Sequence, residues 1–394
     1  MGSRDETGSL TGVTHFIEHL LFKGSERYSA ERIAQVFDTL GGELNAATSK
    51  EYVLVYGRFV DDQLPKAMDV LVDMLLTPTF TDLDNEREVI LEEIAMYEDS
   101  PQDLIHDLLT ETIFGAHPLG HAVLGTRETI GGMSEAEVRA YHQRHFRFSD
   151  MVVAAAGNVD HDELRELILA GHPRSDSNGL VPVHTPAEIT PRRAFMVKET
   201  EQVHVCLGGR GLPRNHEKRF VLTVLDSLLG GSLSSRLFQE VREKRGLVYS
   251  IYSFASQYRE AGMAGVYFGC RPDRLATVIE TVQVELARIV TEAVPTDEVE
   301  RAKEHVKGRL LLGLESTNSR MSRLGKGVLT GAELLDLDEI TRRVESVTAE
   351  EILELAADLF EPSALSVAGI GTDETGFRAA FENWVPGNPI DSVG

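Results

Sequence analysis

His15, Glu18 and His19 are the residues whose types and spacing could do chemistry together. They lie in Val13-Thr14-His15-Phe16-Ile17-Glu18-His19-Leu20-Leu21-Phe22. Helical positions four apart share one face, so both imidazoles can hold a single zinc ion. Glu18 beside them can take a proton from water and return it to a leaving amine. The order His-x-x-Glu-His inverts the commoner His-Glu-x-x-His zinc helix. Taken alone, the pentapeptide also suits three polar residues on an ordinary helix, so a third ligand has to be sought elsewhere.

The acidic stretch 82–98 supplies one. It reads as a helix carrying Asp84, Glu86, Glu88, Glu92, Glu93 and Glu98. Such a run is commonly a solvated face. Glu86 and Glu93, however, are seven apart and so lie on one face, with Val89 and Ile90 along or beside it. A carboxylate on a part-buried face needs a partner, and a metal would be one. Glu93 is the candidate third ligand. Glu92 is the alternative, pointing about 100° away around the helix.

Around these residues the chain reads as an ordinary globular protein. It has 394 residues, 42% hydrophobic and 26% charged, enough for roughly two or three domains. It lacks an apolar run of about 18 residues, so no membrane span is expected. Residues 1–6 lack an apolar leader, and Cys206 and Cys270 form no CxxC pattern. Both features fit a reducing cytoplasm, with the two thiols buried and inert in strands. A net charge of −24 argues against nucleic-acid binding and reads mainly as a solvated acidic surface.

The elements that must position the site follow in order. Ser29 opens an amphipathic helix that ends at Gly41-Gly42. Residues 43–48 and 52–59 read as adjacent strands, and 61–76 as a helix. A helix from Pro101 to about Phe114 comes after the acidic one. His117 and His121 are four apart, but Pro118 and Gly120 break the helix a metal pair would need. Ser134 to Glu137 is a capping box opening a helix on which His142 and His145 read as packing or surface residues. Residues 151–156 read as a buried strand.

The Pro- and Ser-rich stretch 173–191 is the expected linker. Beyond it, strands are expected at 194–198, 203–208, 247–256, 263–270 and 365–370. Helices are expected at 217–229, 234–244, 271–290, 295–314 and 348–360. Both halves end alike, in a capping box, a helix, an apolar strand and an Asp: Ser134 to Asp160, and Thr348 to Asp373. Two similar α+β domains are expected, a zinc-binding catalytic domain at 1–172 and a second at 192–394. Gly208-Gly209-Arg210-Gly211 lacks the spacing of a phosphate loop, and Gly230-Gly231-Ser232 precedes no dinucleotide fingerprint.

Taken jointly, several segments carry a resemblance that covers essentially the whole chain. They are Gly2-Ser3-Arg4-Asp5-Glu6, Thr14-His15-Phe16-Ile17-Glu18-His19-Leu20 with Phe22-Lys23-Gly24, Gly41-Gly42-Glu43-Leu44-Asn45-Ala46, the run from Glu86 through Glu93 to Ile94, and the run from Ser235 through Arg242 to Tyr249. The chain resembles the pitrilysin family of inverted-motif zinc peptidases, within it the mitochondrial-processing-peptidase-like group, which has bacterial members. The resemblance implies two homologous domains, each a mainly antiparallel sheet packed with helices, closing as a clamshell. It implies His15, His19 and Glu93 as zinc ligands and Glu18 as the base. Glu86 would orient a histidine ligand or assist proton transfer. Asn45 and Ala46 would lie on an edge strand that takes the substrate as an added strand. Arg242 and Tyr249, from the second domain, would hold the substrate and steady the oxyanion. By themselves, these two read as a surface helix charge and a strand core residue. Family members carry opening strands ahead of the segment matching Gly2-Ser3-Arg4, so the first domain is expected to lack them here.

The expectation is therefore a cytoplasmic zinc endopeptidase that cuts peptides or unfolded segments, working as a homodimer or as part of a heterodimer, with no nucleic-acid or membrane partner. The alternative is a non-catalytic or truncated subunit serving as a scaffold in a processing-peptidase-like pair.

Overall fold

The computed structural model describes residues 1–170, 184–382, 384 and 391–393. Residues 173–183 of the expected linker lie outside them. The chain separates into two compact units, each drawn from several stretches. The first comprises 1–96, 121–183 and 314–332; the second comprises 97–120, 184–313 and 333–394.

In the first unit, helix α1 (Val13–Leu21) is only nine residues long, too short to persist alone in water. Burial holds it. Val13, Phe16, Ile17, Leu20 and Leu21 are fully enclosed, and at roughly 2 kcal/mol each their burial far exceeds any local helix preference. Helix α2 (Ala30–Thr39) starts where the Ser29 hydroxyl accepts the Arg32 N–H. Strands β1 (Glu43–Thr48) and β2 (Val53–Arg58) form an antiparallel hairpin in which Glu43 pairs with Arg58 and Thr48 with Val53. Helix α3 (Leu64–Leu76) packs Ala67, Val70 and Met74 against Ile33, Val36 and Phe37 of α2. Helix α4 (Leu83–Glu98) lays Ile90 and Ile94 against the apolar side chains of α1. This packing brings the acidic helix beside the histidine helix.

The strand expected at 151–156 does not form. Among the described residues β1 and β2 pair only with each other, and no strand lies beside 151–156 to complete a ladder. Val152 and Val153 remain 38% and 47% exposed. Together with β2 and α3, this run lines an apolar cleft of about 470 Å³. A strand without a neighbour leaves its backbone groups to water, so apolar composition alone cannot make one.

In the second unit, helix α5 (Pro101–Phe114) covers one face of a six-stranded sheet. The strands are β3 (Arg193–Val197), β4 (Val203–Arg210), β5 (Ser250–Gln257), β6 (Gly262–Cys270), β7 (Ser366–Gly371) and β8 (Asp391–Val393), in the order β5-β6-β4-β7-β3-β8. Pairing is antiparallel except for β3 with β7 and β8. The other face carries helices Arg219–Leu229, Leu275–Thr291 and Ala349–Phe360, packed through Leu225, Val282 and Leu355. With both faces covered, β6 is buried along its whole length, and Cys206 and Cys270 are buried free thiols as expected. Both units are thus α+β. No helix among the described residues is long and apolar enough to cross a membrane.

Candidate metal centre

The start of the chain aims α1. Ser3 and Arg4 donate backbone N–H groups to the Ser49 and Lys50 carbonyls in the β1–β2 turn, and Arg4 pairs with Glu51 at 2.8 Å in a buried contact. This anchors Glu6, two residues on, whose carboxylate accepts N–H bonds from Gly12 at 2.7 Å and Thr14 at 2.8 Å. Gly12 is the N-cap of α1 and Thr14 lies in its first turn, where backbone donors have no helical partner. Gly12 sits at φ +92°, and a Cβ there would lie 2.8 Å from the Leu124 carbonyl, so only glycine allows this entry.

Burial pushes the Glu6 carboxyl up to about 7, although bonds from Thr14 and Gly12 and the charge of Lys50 pull it down. A carboxyl raised in the folded state stabilises that state fully below its unfolded value, and the contribution is lost as pH rises through 7. The difference from 4.5 corresponds to about 3 kcal/mol. In metal-free protein, Glu6→Gln is expected to flatten the fall in unfolding free energy between pH 4.5 and 7. Urea titrations across that interval measure it; identical slopes in both proteins would show that Glu6 is not the group responsible.

On α1, His15 is buried, and His19 and Glu18 are half-buried. The two imidazoles meet edge to face, with centroids 4.7 Å apart. Both Nε2 atoms approach one oxygen of Glu93, at 3.6 Å from His15 and 3.3 Å from His19. Two turns earlier on α4, Glu86 meets the other nitrogen of His19, Nδ1, at 3.3 Å. The two glutamates seven apart therefore bracket one imidazole. Glu86 is buried and receives Lys23 Nζ at 2.7 Å, which offsets its charge. Glu92 is exposed and takes no part in the cluster.

The residues fit a divalent metal. When the His19 Nδ1–H donates to Glu86, its Nε2 lone pair faces the Glu93 carboxylate, and two acceptors at 3.3 Å repel unless a cation lies between them. Burial, with the neighbouring His19 adding to it, pushes His15 down to about 4, so at neutral pH it too offers a lone pair. His15, His19 and Glu93 place one ligand atom each within 4.8 Å of one another, and they are the only such group among the described residues. Two nitrogens and one oxygen are a three-residue donor set of the kind that would hold a catalytic zinc.

Glu18 carries the complementary chemistry. Burial raises its carboxyl above the ordinary range, and the Thr48 hydroxyl, donating at 2.5 Å, lowers it in part. A raised carboxyl is a better proton acceptor at neutral pH. Sequence reading missed Thr48, Lys23 and Glu6, because each acts through a contact made between separate elements. Asn45 and Ala46 lie on β1, which has no strand on its outer edge among the described residues; Asn45 is exposed, and its side-chain oxygen accepts the Ala46 N–H at 2.8 Å.

Arg242 and Tyr249 lie in the second unit. Arg242 sits on a π-helical turn (Phe238–Glu243), a form common at functional sites. Its guanidinium lies 4.7 Å from the Phe238 ring centroid and 5.2 Å from that of Tyr249. Tyr249 is 79% exposed, so it is not a strand core residue. His117 hydrogen-bonds the Thr185 carbonyl and His142 the Leu75 carbonyl, so these histidines have structural partners.

The sequence profile described as Insulinase (Peptidase family M16) matches residues 1–127, which include the metal cluster. The profile described as Peptidase M16 inactive domain matches residues 132–306. An uncharacterized zinc protease of Streptomyces coelicolor is 42% identical over 96% of this chain and 85% of its own length. Another from Bacillus subtilis is 41% identical over 91% of this chain and 88% of its own. Among solved structures, a Pseudomonas fluorescens peptidase M16 inactive domain matches with TM-score 0.84 at 21% identity, covering 94% of this chain and 91% of that one. A Helicobacter pylori protease also matches with TM-score 0.84, at 19% identity over 94% and 91% of the two chains. The chain belongs to peptidase family M16, the pitrilysin family.

Proposed function

We propose that this chain is a zinc-dependent endopeptidase acting on peptides or unfolded polypeptide segments. The observation that carries the reading is the convergence of both imidazole Nε2 atoms on one Glu93 oxygen, with Glu18 on the same helix. His15, His19 and Glu93 would hold zinc, which when bound acidifies water and polarises a carbonyl. Glu86 orients His19 through Nδ1. Glu18 takes the proton of the attacking water and delivers it to the departing amine nitrogen. The outer edge of β1, at Asn45 and Ala46, takes the substrate backbone as an added strand, so recognition asks little of side chains. Arg242 and Tyr249 supply hydrogen-bond donors to the substrate carbonyl region. A cytoplasmic location and a homodimer belong to the same reading, supported by the two unpaired thiols and by the resemblance to bacterial members.

Zinc content of the purified chain, measured beside hydrolysis of a quenched, unstructured basic peptide, tests the proposal. About one zinc per chain and cleavage abolished by a chelator are expected. Zinc without cleavage would favour a non-catalytic subunit instead.

A further inference from the structure

Resting on the peptidase reading, we infer that Thr48 is a positioning residue for the reaction, fixing which oxygen of Glu18 handles the proton. The Thr48 hydroxyl donates to Glu18 Oε2 at 2.5 Å, within the short range of hydrogen bonds to a carboxylate. That oxygen is engaged, which leaves Oε1 to accept and return the proton. A glutamate side chain has three free torsions, and an unrestrained one spends much of its time away from any productive geometry. One strong bond from a fixed donor removes that freedom.

Thr48 is a well-placed donor. It closes the β1–β2 ladder opposite Val53, so the hairpin sets its backbone. Its β-branched side chain has few rotamers. The alternation along β1 leaves Glu43, Asn45 and Ala47 exposed, while Leu44, Ala46 and Thr48 are half-buried, Thr48 against α1 through Glu18. The strand whose edge is proposed to hold substrate backbone therefore also carries the group that holds the base. Substrate docking and base alignment share one rigid element, and they separate experimentally because the Thr48 hydroxyl can be removed while the Thr48 backbone, which also hydrogen-bonds Glu18, and the strand edge stay in place.

Thr48→Val removes the hydroxyl at nearly constant shape, and Thr48→Ser keeps it. In zinc-loaded full chain with the quenched peptide, Thr48→Val is expected to lower kcat by about tenfold or more, with KM and zinc content close to the parent, because general acid–base steps contribute about a hundredfold or more in total. Thr48→Ser is expected to restore most of the rate. Affinity for a peptide hydroxamate, whose N–H and O–H groups need an aligned acceptor, provides a readout apart from turnover. It should weaken by about tenfold in the valine variant and recover in the serine variant. Parental kcat and hydroxamate affinity in Thr48→Val would overturn the inference. So would equal losses in both variants, or a loss explained by KM or zinc content. A parent chain that holds zinc without cleaving would overturn the peptidase reading, while the hydroxamate series would still decide the role of Thr48.

Discussion

Glu18→Gln is expected to lower kcat by about a hundredfold or more while leaving zinc content near one per chain. The amide matches the carboxylate in size and can still accept the Thr48 hydroxyl, so the local packing survives. What it loses is the ability to take a proton. None of the three proposed ligands is Glu18, and the cluster of His15, His19 and Glu93 stands without it. Single-turnover hydrolysis of the quenched peptide, alongside metal analysis of the same sample, measures both halves. Unchanged turnover would remove Glu18 from the mechanism; loss of zinc together with activity would recast it as a structural residue.

The second large effect concerns the metal. Glu93→Gln is expected to weaken zinc binding by well over a hundredfold, and Glu86→Gln by about ten- to a hundredfold. The two positions differ in what they touch. Glu93 faces Nε2 of both histidines, at 3.6 and 3.3 Å, so its replacement removes the oxygen ligand from the set. Glu86 meets one of the two histidines, at Nδ1 of His19, and also Lys23, so its replacement loosens one imidazole and leaves Lys23 without its carboxylate. Zinc at about a thousand times its Kd should stabilise the parent by about 4 kcal/mol, a gain that Glu93→Gln should lose and Glu86→Gln should partly keep. Competition with a chromogenic chelator and melting curves with and without zinc measure the two quantities. A larger loss at Glu86 would show that the ligand and its support have been assigned the wrong way round, and equal losses would show that the two do not differ in role.

Much of this site was legible in residue order. The four-residue spacing of His15 and His19 and the seven-residue spacing of Glu86 and Glu93 are helical periods, and a helix places such residues on one face whatever surrounds it. The proposed third ligand was legible for a related reason. A carboxylate on the part-buried face of an acidic helix needs a partner, and Glu93 lies against both imidazoles while Glu92 remained exposed. Arg242 and Tyr249 were not legible from their own chemistry. Their side-chain types suit a surface charge and a core aromatic, and only the resemblance singled them out. The structure then showed Tyr249 exposed beneath a guanidinium.

The two similar endings of the chain mark the division most clearly. Ser134 and Thr348 both form capping boxes, and each opens the helix expected of it, because a cap is satisfied by residues three positions away. The apolar runs that follow were read alike and folded differently. Residues 366–371 became β7 because β4 and β3 flank them and take up their backbone groups, whereas 151–156 have no strand beside them among the described residues. The positions of helices, caps and the residues they align were determined by the sequence itself, since their hydrogen bonds close within a few residues, although tertiary burial is what holds a helix as short as α1. Strand pairing was decided only by the tertiary structure, as were the contacts of Thr48 with Glu18, Lys23 with Glu86 and Glu6 with the start of α1. Each of these joins groups whose distance along the chain says nothing about their distance in space.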